Sequence, residues 1–189
     1  MFEGQPQTEV EALMKANTEF RQLYQRHKEL DKQVLDAELG VLPIDENGCT
    51  ILIGQERFPF GRYSWELPEG GGPEDVAPLE SAQRELAEET GLSADHWLPL
   101  FADVQLSNSV TDERAYAFIA WGLSPDDRFA ADSSEELSVR RVSFAEALKM
   151  AVSGEILDAF SLVMLFKADH LLRTGALPPE LAGLMLAGA

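Results

Sequence analysis

The stretch WELPEGGGPEDVAPLESAQRELAEETGL, residues 65–92, decides the fold. Three glycines follow a strand-like segment, and a helical pattern then runs from Pro78 to the glycine at position 91. Proline suits the first turn of a helix and glycine suits the position after its last turn, so the pattern predicts a helix between them. The preceding glycines allow the backbone to approach a ligand closely.

The predicted helix carries three carboxylates within five residues, on Glu85, Glu88 and Glu89. Successive helical residues are rotated by roughly 100°, so these three share one face, while Leu86 lies on a neighbouring face that docks on a sheet. Carboxylates this close repel one another, and a hard cation such as Mg²⁺ or Mn²⁺ relieves that repulsion. The alternative is a solvated acidic surface, which the adjacent glycine run disfavours. Arg84 either orients the carboxylates or meets a phosphate.

The composition describes a soluble globular domain, with or without extensions: 189 residues, 45% of them apolar and 25% charged. Its net charge of -18 argues against non-specific binding to nucleic acid or to an anionic membrane. A small phosphorylated substrate stays compatible, because a bound metal inverts the local field. The sequence shows no apolar run of membrane-spanning length and no signal-peptide pattern, so we expect a cytoplasmic protein.

The order of predicted elements favours an α+β sandwich with a mixed sheet over a doubly wound sheet. Asn47 and Gly48 predict a hairpin between two strands, and residues 59–65 are predicted to form a loop. The predicted strands are 39–45, 49–58, 96–106, 114–123 and 137–144, and further helices are predicted to start at Ser143 and at Asp158 or Ser161.

Three regions are predicted along the chain. Residues 1–37 form an N-terminal helical extension, because apolar residues recur at helical spacing from position 8 to position 36. This is one long helix or two joined near Arg26, and its apolar stripe needs a surface on its own domain or on a partner subunit. Residues 38–175 form the main domain, and residues 176–189 form a tail in which a short helix is left open.

Residues Gly70 to Leu92 resemble the Nudix box, G-x5-E-x7-R-E-U-x-E-E-x-G-U with U aliphatic, and match eight of its nine defined positions. The resemblance implies a Nudix-type α/β/α sandwich and a hydrolase that uses Mg²⁺ or Mn²⁺ to cleave a nucleoside diphosphate linked to another moiety. It also implies that Glu85, Glu88 and Glu89 are metal ligands, helped by the backbone carbonyl of Glu69. Metals of this kind neutralise diphosphate oxygens and activate a bound water.

Val76 departs from the pattern, because the first glutamate of the box belongs at its position. Valine neither binds metal nor pairs with Arg84. We expect activity to survive with weaker metal binding or an altered metal preference, with Glu74, Asp75 or Glu80 taking its place. The alternative is a nucleotide-binding Nudix module with weakened catalysis.

The segment before the box, IGQERFPFGRYSWELPEGG, resembles ADP-ribose pyrophosphatase-like members, in which a strand ending in Gln and Arg leads to WELPAG. This likeness implies that Arg57 faces the substrate's phosphates or terminal sugar and that Glu66 touches a ribose or base. The alternative for Arg57 is an ordinary surface arginine. The substrate is then ADP-ribose or a nucleotide sugar, and a nucleoside monophosphate is released.

Other substrates of the family stay open, because those members typically carry a proline about fifteen residues beyond the box, where this chain has LSNSVTDERAY without a proline. The alternatives are dinucleoside polyphosphates and nucleoside triphosphates. In resembling enzymes the general base comes from an acidic loop before a late strand, which here implies Glu135 or Glu136. The resemblance, with the apolar stripe of the N-terminal extension, also implies a homodimer.

Overall fold

The computed structural model describes residues 37–57, 60–73, 75–106, 113–126 and 137–188, together with Lys15, Thr18, Glu19 and Gln22. The chain divides into two compact units, residues 1–34 and residues 35–189. In the first unit the four described residues are helical, and Lys15 and Glu19 form an ion pair at 3.7 Å. The rest of the helix predicted for residues 8–36 lies outside the described residues.

In the second unit the described strands form two sheets, with strand orders β4-β1-β6-β5 and β3-β2-β7. Strand β1 runs parallel to β6, and the other pairs are antiparallel, so the first sheet is mixed, as predicted for the α+β class. The strands are β1 (Ala37–Ile44), β2 (Cys49–Arg57), β3 (Arg62–Glu66), β4 (Glu69–Gly72), β5 (Leu92–Gln105), β6 (Arg114–Pro125) and β7 (Ser138–Ser143), and the helices are α1 (Pro78–Thr90), α2 (Phe144–Ser153), α3 (Ala159–Arg173) and α4 (Pro179–Ala187).

The hairpin predicted at Asn47-Gly48 is wrong, although a tight turn is present there. Gly48 has a φ of 70°, and Asp45 Oδ1 accepts hydrogen bonds from the backbone N–H groups of Asn47 and Cys49 at 2.8 and 2.9 Å. Strand β1, however, pairs with β4 on one side and with β6 on the other. Strand β2 instead pairs with β3 and β7 in the other sheet, so the turn passes the chain from one sheet to the next.

The predicted helix boundaries are confirmed where local capping signals set them. Helix α1 starts at Pro78 and ends at Gly91, whose φ of 68° is the left-handed conformation that favours glycine. The Ser143 hydroxyl accepts a hydrogen bond from the N–H of Glu146 at 3.1 Å and starts α2. The Asp158 carboxylate does the same for α3, accepting from the N–H of Ser161 at 2.6 Å.

Two segments carry more regular structure than the sequence predicts. The loop predicted for residues 59–65 contains strand β3, which pairs with β2 from Arg62 to Glu66. The tail contains helix α4, whose Leu181 and Met185 are buried in the main core. Helix α1 covers the first sheet through a separate small core formed by residues such as Leu39 and Leu86, and this packing fixes the acidic helix on the sheet.

Candidate active site

Glycines bring strand β4 into direct contact with helix α1. A Cβ at Gly72 would lie 2.6 Å from Leu39 Cδ2 and 2.7 Å from Ser81 Oγ. A Cβ at Gly70 would lie 2.6 Å from the carboxyl carbon of Glu85. All three distances are too short for a Cβ, so a larger residue at either position would have to displace these side chains, whereas glycine lets α1 and its buried Glu85 carboxylate rest against this strand.

Arg84 organises the carboxylates at this junction. Its Nη1 donates to Glu88 Oε2 at 2.6 Å, and its Nη2 donates to Glu85 Oε1 at 2.5 Å and to the carbonyl oxygen of Gly71 at 2.7 Å. The third carboxylate, on Glu89, accepts a hydrogen bond from the N–H of Glu69 at 3.1 Å. The structure therefore brings all three helix glutamates to the edge of β4, at Glu69 and the glycines.

The donor chemistry of this junction fits a hard divalent cation. Glu85, Glu88 and Glu89 present carboxylate oxygens from one helix face, and the backbone of Glu69 lies within hydrogen-bonding distance of Glu89. Among the described residues, no three His, Cys, Asp or Glu side chains are gathered closely enough to enclose an ion. In this structure their hydrogen bonds go to Arg84 and to the main chain instead.

A second cluster of charged side chains, around Arg57, lies beside the glutamates of α1. Its Nε donates to both carboxylate oxygens of Glu66, at 2.9 and 3.1 Å, and its Nη2 also donates to Glu66. The same Nη2 lies 3.6 Å from Glu69 Oε1. Glu66 is 3% exposed, whereas the Arg57 side chain is 38% exposed, so the glutamate holds one edge of a guanidinium that solvent can reach.

Burial and mutual repulsion change the pKa of two carboxyl groups here. Burial, then the charges of Asp158, Glu38 and Glu66, raise the pKa of Glu69 well above its usual value, and Arg57 opposes this. Burial, then the charges of Glu113 and Glu85, raise the pKa of Glu38 from 4.5 to about 7. Glu38 is not among the site residues predicted from the sequence, and Asp158 is predicted there only as a helix start. A carboxylate in an otherwise apolar strand was the available signal for Glu38.

The remaining predicted residues are placed as follows. Val76 lies half-buried in the turn between β4 and α1, where its N–H donates to the carbonyl oxygen of Pro73 at 3.1 Å. Asp75 and Glu80 are exposed on either side of it. Glu74, Glu135 and Glu136 lie outside the described residues, so the identity of the general base stays a prediction.

The fold and the junction together define a class of enzyme. A mixed α+β sandwich presents an arginine-ordered glutamate helix against a glycine strand, which is suited to hydrolysis of phosphoric anhydride bonds. Residues 35–160 match the model of the NUDIX domain, and the chain belongs to this family of pyrophosphate-hydrolysing enzymes. Among the described residues, none of the helices has both the length and the apolar character needed to span a membrane.

Similar proteins support the same assignment. The chain is 32% identical over 146 residues to an ADP-ribose pyrophosphatase of Mycobacterium tuberculosis, covering 75% of this chain and 69% of the relative. It is 33% identical over 122 residues to an ADP-ribose pyrophosphatase of Bacillus subtilis, covering 64% and 65%. A crystal structure of an ADP compounds hydrolase has the same fold, with a TM-score of 0.66, 22% identity and 74% coverage of each chain. The predicted family, fold class and ADP-ribose pyrophosphatase-like character are confirmed.

Proposed function

We propose that this chain is a metal-dependent pyrophosphatase that hydrolyses a nucleoside diphosphate linked to another moiety. The substrate is ADP-ribose or a nucleotide sugar, and the products are a nucleoside monophosphate and a phosphorylated remainder. The observation that supports this is the arrangement of three glutamates and Arg84 against the glycines of β4. The similarity to two ADP-ribose pyrophosphatases supports the choice of substrate class.

Metal ions, Mg²⁺ or Mn²⁺, would be held by Glu85, Glu88 and Glu89 with the backbone carbonyl of Glu69. When bound, they supply charge neutralisation for the diphosphate and a more acidic water. The contribution of the chain is to position the ligands. Arg84 limits the rotation of two of the carboxylates, and the glycines of β4 let the helix that carries them rest directly against the strand.

Arg57 is the proposed anchor for the substrate's phosphates or terminal sugar. Its guanidinium is charged at neutral pH, and hydrogen bonds to Glu66 and the charges of Glu66 and Glu69 raise its pKa further, against desolvation. Glu66 fixes one edge of the guanidinium and leaves the remainder accessible. Glu66 itself would touch a ribose or base, and Glu135 or Glu136 would accept the proton of the attacking water.

A substrate panel tests the proposal. The protein is incubated with Mg²⁺ or Mn²⁺ and with ADP-ribose, nucleotide sugars, dinucleoside polyphosphates and nucleoside triphosphates, and the products are separated by ion-exchange chromatography. We expect nucleoside monophosphate from ADP-ribose or a nucleotide sugar. Absence of turnover of every compound with both metals contradicts the proposal, and tight nucleotide binding without turnover would favour a binding module.

Substitutions at the junction test the metal roles. Glu85→Gln and Glu89→Gln are expected to reduce kcat by about a hundredfold or more with the fold retained, because amides bind hard cations poorly. Glu180→Gln, an exposed glutamate in the first turn of α4, is the matched control and is expected to keep full activity. Wild-type rates in Glu85→Gln and Glu89→Gln would remove the assigned metal roles.

The organisation of the whole chain belongs to the same proposal. Residues 1–37 are an extension, residues 38–175 the catalytic domain and residues 176–189 a tail, in a cytoplasmic homodimer. Sedimentation equilibrium of the full chain at several concentrations measures the oligomeric state. A mass of one chain at every concentration would contradict the dimer.

A further inference from the structure

The side chain of Glu69 points away from helix α1. Along β4 the alternate residues Gly70 and Gly72 face the helix, as the positions of their missing Cβ atoms show. Glu69 pairs with Gly40 of β1, and a Cβ at Gly40 would lie 2.7 Å from atoms of Met164 and Phe160 in α3. The Glu69 carboxyl therefore shares the face that packs towards α3.

This carboxyl is buried without full compensation. The side chain is 8% exposed, and Oε2 is buried without a hydrogen-bond partner among the described residues. Its Oε1 lies 3.6 Å from Arg57 Nη2, a group already engaged by Glu66. A buried carboxyl oxygen without a partner destabilises a fold. The unsatisfied oxygen therefore points to a ligand that donates a hydrogen bond.

The main chain of Glu69 links this carboxyl to the reaction site. Its N–H donates to Glu89, and β4 is the edge strand of its sheet, so Glu69 lies at the border of the sheet beside the helix glutamates. A substrate whose diphosphate lies at the glutamates of α1 places the linked group beside this edge. The charges that act on Glu69 are those of Asp158, Glu38, Glu66 and Arg57, and the three carboxyl groups make an environment rich in acceptors that suits hydroxyl donors.

We propose that Glu69 is a specificity-determining residue whose carboxyl accepts a hydrogen bond from a hydroxyl of the sugar attached to the diphosphate. The inference rests on the proposed function, because it presumes that the diphosphate lies at the α1 glutamates. It goes further by separating two roles of one residue. The backbone of Glu69 serves metal and diphosphate, whereas its side chain selects the group beyond them.

The test compares two substrates that share the reacting bond. One is ADP-ribose, and the other is ADP carrying a methyl ester on its β-phosphate, which has no hydroxyl beyond the diphosphate. The wild type is expected to prefer ADP-ribose in kcat/KM, and Glu69→Ala to reduce that preference about tenfold to a hundredfold. Glu69→Gln keeps one acceptor oxygen and is expected to reduce it less. A wild type without preference, or a parallel change for both substrates in Glu69→Ala, would overturn the inference.

A matched control and a binding measurement separate the inference from the proposed function. Glu56→Ala removes an exposed carboxylate from β2 and is expected to leave the preference unchanged. If the wild type turns over no compound of the substrate panel, the proposed function fails, and calorimetric affinities for the two ADP compounds then test Glu69 alone. A preference for ADP-ribose that Glu69→Ala abolishes supports the inference, and equal affinities overturn it. Circular dichroism and Tm verify folding, and Glu69→Gln replaces the alanine variant if the latter unfolds.

Discussion

Replacing Glu38 with glutamine is expected to remove a large part of the pH dependence of stability. Burial and the charges of Glu113 and Glu85 raise the pKa of Glu38 from 4.5 to about 7. Since the folded state binds this proton more tightly than the unfolded state, the stabilisation is complete below pH 4.5 and is lost as the pH rises through 7. Each pH unit in this range corresponds to about 1.36 kcal/mol, so the loss is about 3 kcal/mol by pH 8.

Urea denaturation followed by circular dichroism measures this effect between pH 5 and pH 8.5, at constant ionic strength and with EDTA to exclude divalent cations. The free energies of unfolding of the wild type and of Glu38→Gln are expected to be similar at pH 5 and to diverge as the pH rises, with the variant more stable. Glu56→Gln, an exposed glutamate of β2, is the control and is expected to follow the wild type. Parallel curves for the wild type and Glu38→Gln would refute the reasoning.

Three further substitutions test the junction and the charged group beside it. Gly70→Ala is expected to lower kcat at saturating metal at least tenfold, because its Cβ would displace the Glu85 carboxylate. The control Gly183→Ala has open space around its Cβ and is expected to keep the wild-type rate. Equal rates for the two variants would contradict the close contact at Gly70. Arg84→Lys is expected to raise the Mg²⁺ concentration needed for half-maximal rate, because an ammonium cannot reproduce the hydrogen bonds of the planar guanidinium to two carboxylates and a carbonyl. An unchanged Mg²⁺ titration would contradict the role of Arg84 in ordering the carboxylates. Arg57→Ala is expected to lower the free energy of unfolding in urea by about 2 kcal/mol, because it leaves buried carboxylates unpaired. Adding Glu66→Gln to this variant is expected to restore part of the lost stability. Additive losses in the double variant would contradict the coupling between Arg57 and Glu66.

The parts of the fold that local chemistry sets could be predicted from the sequence. Pro78 and Gly91 bound α1, and the side chains of Ser143 and Asp158 cap the next two helices, because each signal acts within a few residues. The pairing of β1 could not be predicted from its turn. Its partners are β4 and β6, which lie farther along the chain than the turn, and β2 pairs with β3 and β7 instead.

The candidate site likewise has a part that could be predicted from the sequence and a part that could not. The glutamates of α1 and Arg84 share one helix, so their proximity follows from helical geometry alone. Glu38 lies in a different strand and Asp158 at a helix start, and both reach the neighbourhood of Glu69 only through sheet pairing and the packing of α3. Their effect on the pKa of Glu69 depends on burial, which the sequence does not specify at a single position.

The hydrogen bonds of Arg84 indicate what the valine at position 76 changes in the site. A glutamate at this position would be one means of orienting that arginine, but its Nη1 and Nη2 already donate to Glu88, Glu85 and the carbonyl oxygen of Gly71. The guanidinium is therefore fixed by its own helix and by the glycine strand, without an acid at position 76. What valine removes is one negative charge near the proposed metals. Its effect should then fall on metal affinity, while the arrangement of Arg84 and the helix carboxylates is preserved.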